Sequence, residues 1–340
     1  MRGLSLIVLL LAGCATTPPP VTVPQVAAVA ETDPVDSASD AADDPAIWRN
    51  PRDPAKSLVI GTDKQAGIHV YDLSGKRLSF TPAARLNNVD LRTVGGRVIV
   101  AASDRAEVDA ARMSLFVLDT AAARLVPMGR YAVGAGEAYG MCLWSRARDK
   151  ALFGFVVLKD GRIDQVAIDL SGAQPQVRMV RSMKLGTQSE GCVVDDRTGM
   201  LYVAEEDVGL WRFDAEPTAP VTATSIAKVD GTTLVADAEG LALAPAGRIG
   251  GYLVVSSQGD NAYTLYRLPG VTYAGRFRIG GGSVDGTSDT DGIELMLGDF
   301  GLRFREGLFV AQDGDNAPAT QNFKYVDWAA VKRALKLRSK

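Results

Sequence analysis

Carboxylates crowd together near the end of this chain. Residues 285–295 read DGTSDTDGIEL, which sets Asp285, Asp289 and Asp291 within seven positions. Carboxylates this close raise one another's pKa unless a cation stands between them. Similar acid or glycine steps recur upstream: Asp43 and Asp44 in DDPAIW, Glu190 in SEGCVV, and Asp237 and Glu239 in DAEGLAL. Further oxygen donors are Asn88 in NNVD, Glu206 in AEED, Gln258 in SSQGD, and Asp313, Asp315 and Asn316 in AQDGDN. The set holds no histidine and no suitably paired cysteine. Oxygen-only donors on irregular loops suit Ca²⁺ better than zinc, copper or iron, while Mg²⁺ prefers fewer protein ligands in a stricter octahedron. One Asp-Gly step is an ordinary solvated turn; six at matching places ask for another reason.

Cations accompany the acids. Lys64 in TDK, Arg105 in SDR and Lys159 in LKD follow or adjoin an acid at equivalent positions of successive repeats. Cations beside hard-metal ligands point to a polyanionic substrate, and a phosphate ester fits best. Cys142 opens CLWSRAR, formally the C-x5-R spacing of cysteine phosphatases, but Leu143 and Trp144 continue a strand where such loops need small residues. Cys142 and Cys192 hold equivalent places in neighbouring repeats and are expected to be buried free thiols, although a disulfide is allowed outside the cytoplasm. The single histidine, His69, lies in the alternating strand GIHVYDL and reads as structural. One histidine excludes histidine-cluster zinc sites and leaves a Ser-His hydrolase only His69 as its base.

A repeat must bring these groups together. Asp44, Asp90, Gly140, Gly191, Gly240 and Gly292 mark it, at steps of 46 to 52 residues. Each marker leads into an apolar strand, followed by a β-rich strand (VIGTDK, VAASDR, FVVLKD, VAEED, VVSSQGD, FVAQDGD) and then a third. Fourth strands such as RMVRSMKL and RFRIGG close most units. No helical pattern separates the strands, so a parallel α/β fold is excluded. The spacing predicts an all-β six-bladed β-propeller with four-stranded antiparallel blades. The sixth unit turns helical after Trp328, and Val23–Ala30 is expected to supply its missing fourth strand and close the ring.

The 340 residues are 46% hydrophobic and 23% charged, with a net charge of −3, enough for a large core and without the basic runs nucleic acid would need. Residues 1–13 read as a lipoprotein-type signal peptide, because the apolar run is too short for a span and ends in LAGC. Cys14 would be lipidated. Residues 14–30 form a Pro-rich tether, and 31–340 one propeller domain. An exported, outer-membrane-anchored lipoprotein is expected, facing the periplasm or the cell surface, with the lipid its only membrane contact.

The blocks DAADDPAIW, IGTDKQAGIHVYDLSGK, LNNVDLR, AYGMCLW, SEGCVVDDRTGMLYVAEEDVGLW, DAEGLAL, SSQGDNAY, DGTSDTDGIEL and FVAQDGDN stand in order along the chain. From about Glu31 to Trp328 this resembles the β-propeller phytases. The resemblance implies a calcium-dependent phosphomonoesterase acting on phytate (myo-inositol hexakisphosphate), with several calcium ions on one rim of the channel and two neighbouring phosphates in a cleavage and an affinity site. Asp43, Glu190, Glu206, Asp237, Glu239, Gln258 and Asp291 would hold or surround the catalytic calciums. Lys64, Arg105, Lys159 and Tyr139 would grip phosphoryl groups, with Asp160 nearby and Glu31 in reach. Asp44, Asp285, Asp313, Asp315 and Asn316 would sit in or near calcium sites that rigidify the fold. The implied mechanism is in-line attack by a calcium-bound water placed by Glu206 or Tyr139, with no covalent intermediate. Phytate or calcium–phytate would meet a monomer.

Three departures from the family pattern stand out: Gln65 where a second lysine is common, the segment 106–114, and a short loop before NFKYV. The rival enzyme is a calcium-dependent propeller lactonase or esterase, which would need a mostly apolar pocket and leave the three cations unexplained. The non-enzymatic rival is an outer-membrane propeller lipoprotein presenting an exposed apolar groove.

Overall fold

The computed structural model describes residues 22–337 apart from positions 84 and 302, so the signal segment, Cys14 and the tether up to residue 21 lie outside the described residues. Each sequence repeat is one antiparallel sheet, and six sheets stand in a ring. The first blade runs Ala42–Trp48, Leu58–Asp63, Gly67–Tyr71 and Arg77–Pro82. Its innermost strand is buried along its whole length, whereas its outermost strand is half-exposed. That gradient explains the sequence pattern: inner strands are walled on both faces by neighbouring blades and read as continuous apolar runs. The ring closes where Ile293–Leu297 packs against Ala42–Trp48.

Cores lie between blades. One joins Val254, Tyr263 and Phe277 of the fifth blade to Phe309 of the sixth, and Trp328 and Val331 of the only α-helix among the described residues, Trp328–Ala334, complete it. Asp327 caps that helix by accepting from Ala329 N at 3.1 Å. His69 is fully buried, with its ring centroid 4.7 Å from that of Phe80, which supports its structural reading.

Closure differs from the expectation. Only Ala30–Glu31 forms the fourth strand of the sixth blade, antiparallel to Asn322–Asp327. Gln25–Ala27 instead runs parallel to Thr272–Gly280 as a fifth strand on the fifth blade. Val26 and Ala28 fill the core between those two blades, so the N-terminal segment seals a seam rather than completing one sheet.

The cysteines also correct the reading. Cys142 and Cys192 form a disulfide with Cα atoms 5.7 Å apart, not two free thiols. Both lie on innermost strands of adjacent blades, Cys142 two residues after Gly140 and Cys192 one after Gly191, and with side chains alternating along a strand this offset turns the two sulfurs towards each other.

Candidate active site

The repeat glycines build the site. A Cβ on Gly140 would stand 1.8 Å from the carbonyl oxygen of Glu190, and one on Gly191 2.2 Å from that of Glu239. On Gly240 it would meet Asp291 O at 2.6 Å, and on Gly292 Asp43 O at 2.6 Å. No side chain fits such gaps, so glycine is required at each step. Through two of them the blades are also hydrogen-bonded: Gly240 N donates to Asp291 O at 2.9 Å and Gly292 N to Asp43 O at 3.0 Å. The residue before each glycine, Tyr139, Glu190, Glu239 or Asp291, is thereby carried to the same rim of the channel.

There Glu190, Glu206 and Glu239 are buried, and each offers a carboxylate oxygen within 4.8 Å of the others. Oxygens held at about 2.4 Å by one Ca²⁺ can be no more than about 4.8 Å apart, so one such ion could touch all three. Asp43 Oδ2, Glu206 Oε1 and Glu239 Oε2 are buried without hydrogen-bond partners, and Asp43 Oδ1 meets only the Lys64 ammonium. Burial pushes Glu206 up to about 7; the amide of Gln188 opposes the rise and Asp237 and Asp207 add to it. Burial likewise lifts Asp291 to about 7 despite Lys64 beside it. Glu190 and Glu239 are raised well above the carboxylate range, by burial first and then by neighbouring acids, Asp43 for Glu190 and Glu190 for Glu239. Carboxyls this starved of positive charge, with free oxygens and no nitrogen or sulfur ligand among them, fit a hard cation.

The cations stand on the same rim. Lys64 Nζ lies 2.5 Å from Asp40, 3.0 Å from Asp43 and 2.8 Å from Asp291. Burial alone would lower its pKa, but Asp43 and Asp291 outweigh this and hold it raised. Arg105 donates to Asn87 Oδ1 at 2.8 Å and to Glu137 Oε1 at 2.5 Å. Asn87 in turn donates to Glu190 Oε1 at 2.8 Å. Arg105 and Lys159 lie 5.0 and 5.1 Å from the ring centroid of Tyr139. Burial and then Glu190 raise the Tyr139 hydroxyl far above its ordinary range, so it keeps its proton. Gln258 Nε2 donates to Asp291 Oδ1 at 2.6 Å, and half-buried Asp237 lies close enough to raise Glu206 and Glu239.

Asp160 does not join them. Its carboxylate is exposed and turned to Lys184 at 3.3 Å and to the N–H of Arg162 at 2.9 Å. Below the rim, buried Asp44 lines the narrow channel with Asn88, Asp90 and Glu294, accepting from Val89 N at 2.9 Å.

A second acidic group lies away from these. The fully buried ammonium of Lys324 meets Glu31 at 2.5 Å, Asp313 at 3.2 Å, Asn316 Oδ1 at 3.0 Å, and Asp285. Asp315 is exposed and its carboxylate stays outside it, accepting from Ala317 N at 3.3 Å, while its own N–H donates to Asp313 Oδ1 at 3.4 Å.

Sequence reasoning missed Asp40, Asn87, Glu137, Gln188 and Lys324. Asn87, Glu137 and Gln188 share one signal: each lies within a residue or two of the start of an innermost strand, where side chains point into the rim.

A family model described as phytase matches residues 7–339. A curated 3-phytase of Bacillus subtilis (strain 168) is 39% identical over 329 residues, covering 92% of this chain and 85% of that protein. With the propeller and its acid-lined rim already in place, these matches show that the chain belongs to the phytase family, enzymes that release phosphate from phytate.

Proposed function

We propose that the chain hydrolyses phytate with calcium held by Asp43, Glu190, Glu206, Glu239 and Asp291, flanked by Asp237 and Gln258. The observation that carries this reading is the meeting of unpartnered, buried carboxylate oxygens with three cations on one rim. Calcium bound there supplies positive charge to the phosphoryl group and lowers the pKa of an attacking water. The chain's own residues do the rest. Lys64 and Arg105, which line one cavity beside the rim, draw phosphoryl oxygens, and the Tyr139 ring fixes Arg105 and Lys159 in place. Tyr139 keeps its proton and can donate it in a hydrogen bond to a phosphoryl oxygen. Glu206, with its free Oε1 and a pKa near 7, is suited to take a proton from the attacking water.

Asp44, Asp285, Asp313, Asp315 and Asn316 remain proposed as further calcium contacts. At Asp285 and Asp313 the ammonium of Lys324 already supplies positive charge, so the rim carboxylates have the stronger demand for metal. The disulfide supports export to an oxidising compartment, in keeping with the lipoprotein reading of Cys14.

The charged rim favours a phosphate ester over a lactone. The test offers phytate, an aliphatic lactone and a carboxylic ester to the calcium-supplied protein. Phosphate release alone supports the proposal; lactone or ester opening without phosphate release overturns it.

A further inference from the structure

The fifth blade reaches from the acid rim to the opposite face of the ring. Its strand Ala238–Ala246 starts beside Glu239 and turns through residues 247–249 into Gly250–Ser257, which returns to Gln258. At about 3.3 Å per residue, that turn stands roughly 25 Å from the rim. Beside it opens a groove of about 1250 Å³ walled by Arg248, Arg267 and Lys332, and Glu306 is the one acid among the described residues that line it. Lys332 is paired with Glu306. Arg248 and Arg267 are exposed and meet no carboxylate among the described residues; the Arg267 guanidinium lies 5.1 Å from the Tyr252 ring centroid. The turn itself is held, since Arg197 donates to the carbonyls of Gly247 and Gly250 at 3.0 and 2.9 Å. Two large apolar side chains stand out on the same side of the blade, Ile249 at 54% and Tyr273 at 50% exposure.

The chain also enters on this side. Gln25–Ala27 runs parallel to Thr272–Gly280 with Gln25 opposite Arg278, so the residues before Gln25 come from the Thr272 end, where the groove lies. Cys14 is eight residues ahead of Thr22, a reach of at most about 28 Å. Residues 328–340 add five Lys or Arg and no acid to a chain of net charge −3. Of these, Arg333 and Lys336 are exposed, and Leu335 between them lies against the outer strand of the fifth blade, 3.3 Å from where a Cβ on Gly275 would stand.

We propose that this face, centred on Arg248, Arg267, Arg333 and Lys336, docks on the surface of an anionic phospholipid bilayer and leaves the acid rim turned away from it. Guanidinium groups without a carboxylate partner match headgroup phosphates in pairs. Ile249 and Tyr273 suit the boundary between headgroups and chains, where apolar tips and amphipathic rings settle. On the lipoprotein reading of Cys14, the lipid would reach the same face, but the surface charge does not depend on that anchor.

The test titrates the full chain with vesicles of phosphatidylcholine alone and of phosphatidylcholine mixed with phosphatidylglycerol. The ratio of the two partition coefficients cancels whatever the apolar leader contributes to both. Each cation at an anionic surface is worth about fivefold, so wild type should prefer the anionic vesicles by at least about 100-fold at low salt, and lose that preference at about 1 M salt. Arg248→Glu removes one attraction and adds one repulsion, and should lower the ratio about 25-fold. Arg267→Glu should do the same from a strand end. Arg178→Glu, exposed on the outer strand of the third blade, makes the same change in net charge and should leave the ratio nearly unchanged, with melts alike in all four proteins. A wild-type ratio near one overturns the proposal, as do equal losses in Arg248→Glu and Arg178→Glu. So does a change of oligomeric state in Arg248→Glu with no change in the ratio, which would make the face a contact between copies of the chain.

Discussion

Lys64 and Asp291 stand 227 residues apart in the chain, yet the lysine ammonium donates to the aspartate at 2.8 Å. The contact spans the seam between the first and last blades. It makes Lys64 the counter-charge of these acids. Under the proposed function, calcium on the rim would take over that role and leave the ammonium to the substrate.

Lys64→Ala therefore separates the two states. With calcium present, phosphate release should fall about 100-fold, the scale of losing one charge-stabilising donor, while the melting temperature changes little. In chelator the same variant should melt several degrees below wild type, because Asp43 and Asp291 lose their counter-charge. Equal melts in chelator would remove the neutralising role.

The acid rim also sets a pH dependence. Glu206 and Asp291 are both raised to about 7 from ordinary values of 4.5 and 3.8. Folding thus favours their protonated forms, and that stability is present at low pH and lost as pH rises through about 7. Chelator-treated protein should lose melting temperature between pH 5 and 8, and calcium should restore most of it at pH 8. A chelated protein whose melt is flat across this range would contradict the pKa assignment.

Lys324 is a buried internal cation for Glu31, Asp285 and Asp313. Burial works against its charge, and Asp285 and Glu31 hold its pKa raised. Lys324→Met should cost about 3 kcal/mol in denaturant unfolding, since it strands the buried carboxylate of Asp313, and should loosen Ala30–Glu31 first. Faster hydrogen exchange across residues 30–32 and 322–327 is the accompanying sign.

Cys142 and Cys192 close a loop of 50 residues between two adjacent blades. Cys142→Ser with Cys192→Ser should lower unfolding free energy by about 2–4 kcal/mol. Activity at low temperature should survive, because neither sulfur belongs to the rim. Loss of turnover without loss of stability would place the disulfide in the site.

Six blades were legible because each innermost strand must carry an apolar run and a step at the same phase. The acid-glycine steps were legible for a related reason: the glycine lies against the carbonyl of the next acid, so residue type and position are coupled. Contacts that exist only between blades were not legible. Lys324 reads as one residue of the strand NFKYVDW, and nothing nearby announces Glu31, 293 residues away. The disulfide was hidden for the same reason, since two cysteines in neighbouring repeats do not by themselves say that they touch. Splitting of the N-terminal segment between two blades depends on a seam with no periodicity of its own.

Phosphate release from phytate, followed as calcium is titrated into chelator-stripped wild type and Glu239→Gln, tests the central claim most directly. The neutral amide keeps the shape but removes one charged oxygen from the buried cluster. Wild type should rise from near zero by at least about 100-fold with calcium, and Glu239→Gln should need more calcium and reach a lower plateau. Stripped wild type that hydrolyses phytate at its full rate would contradict the account.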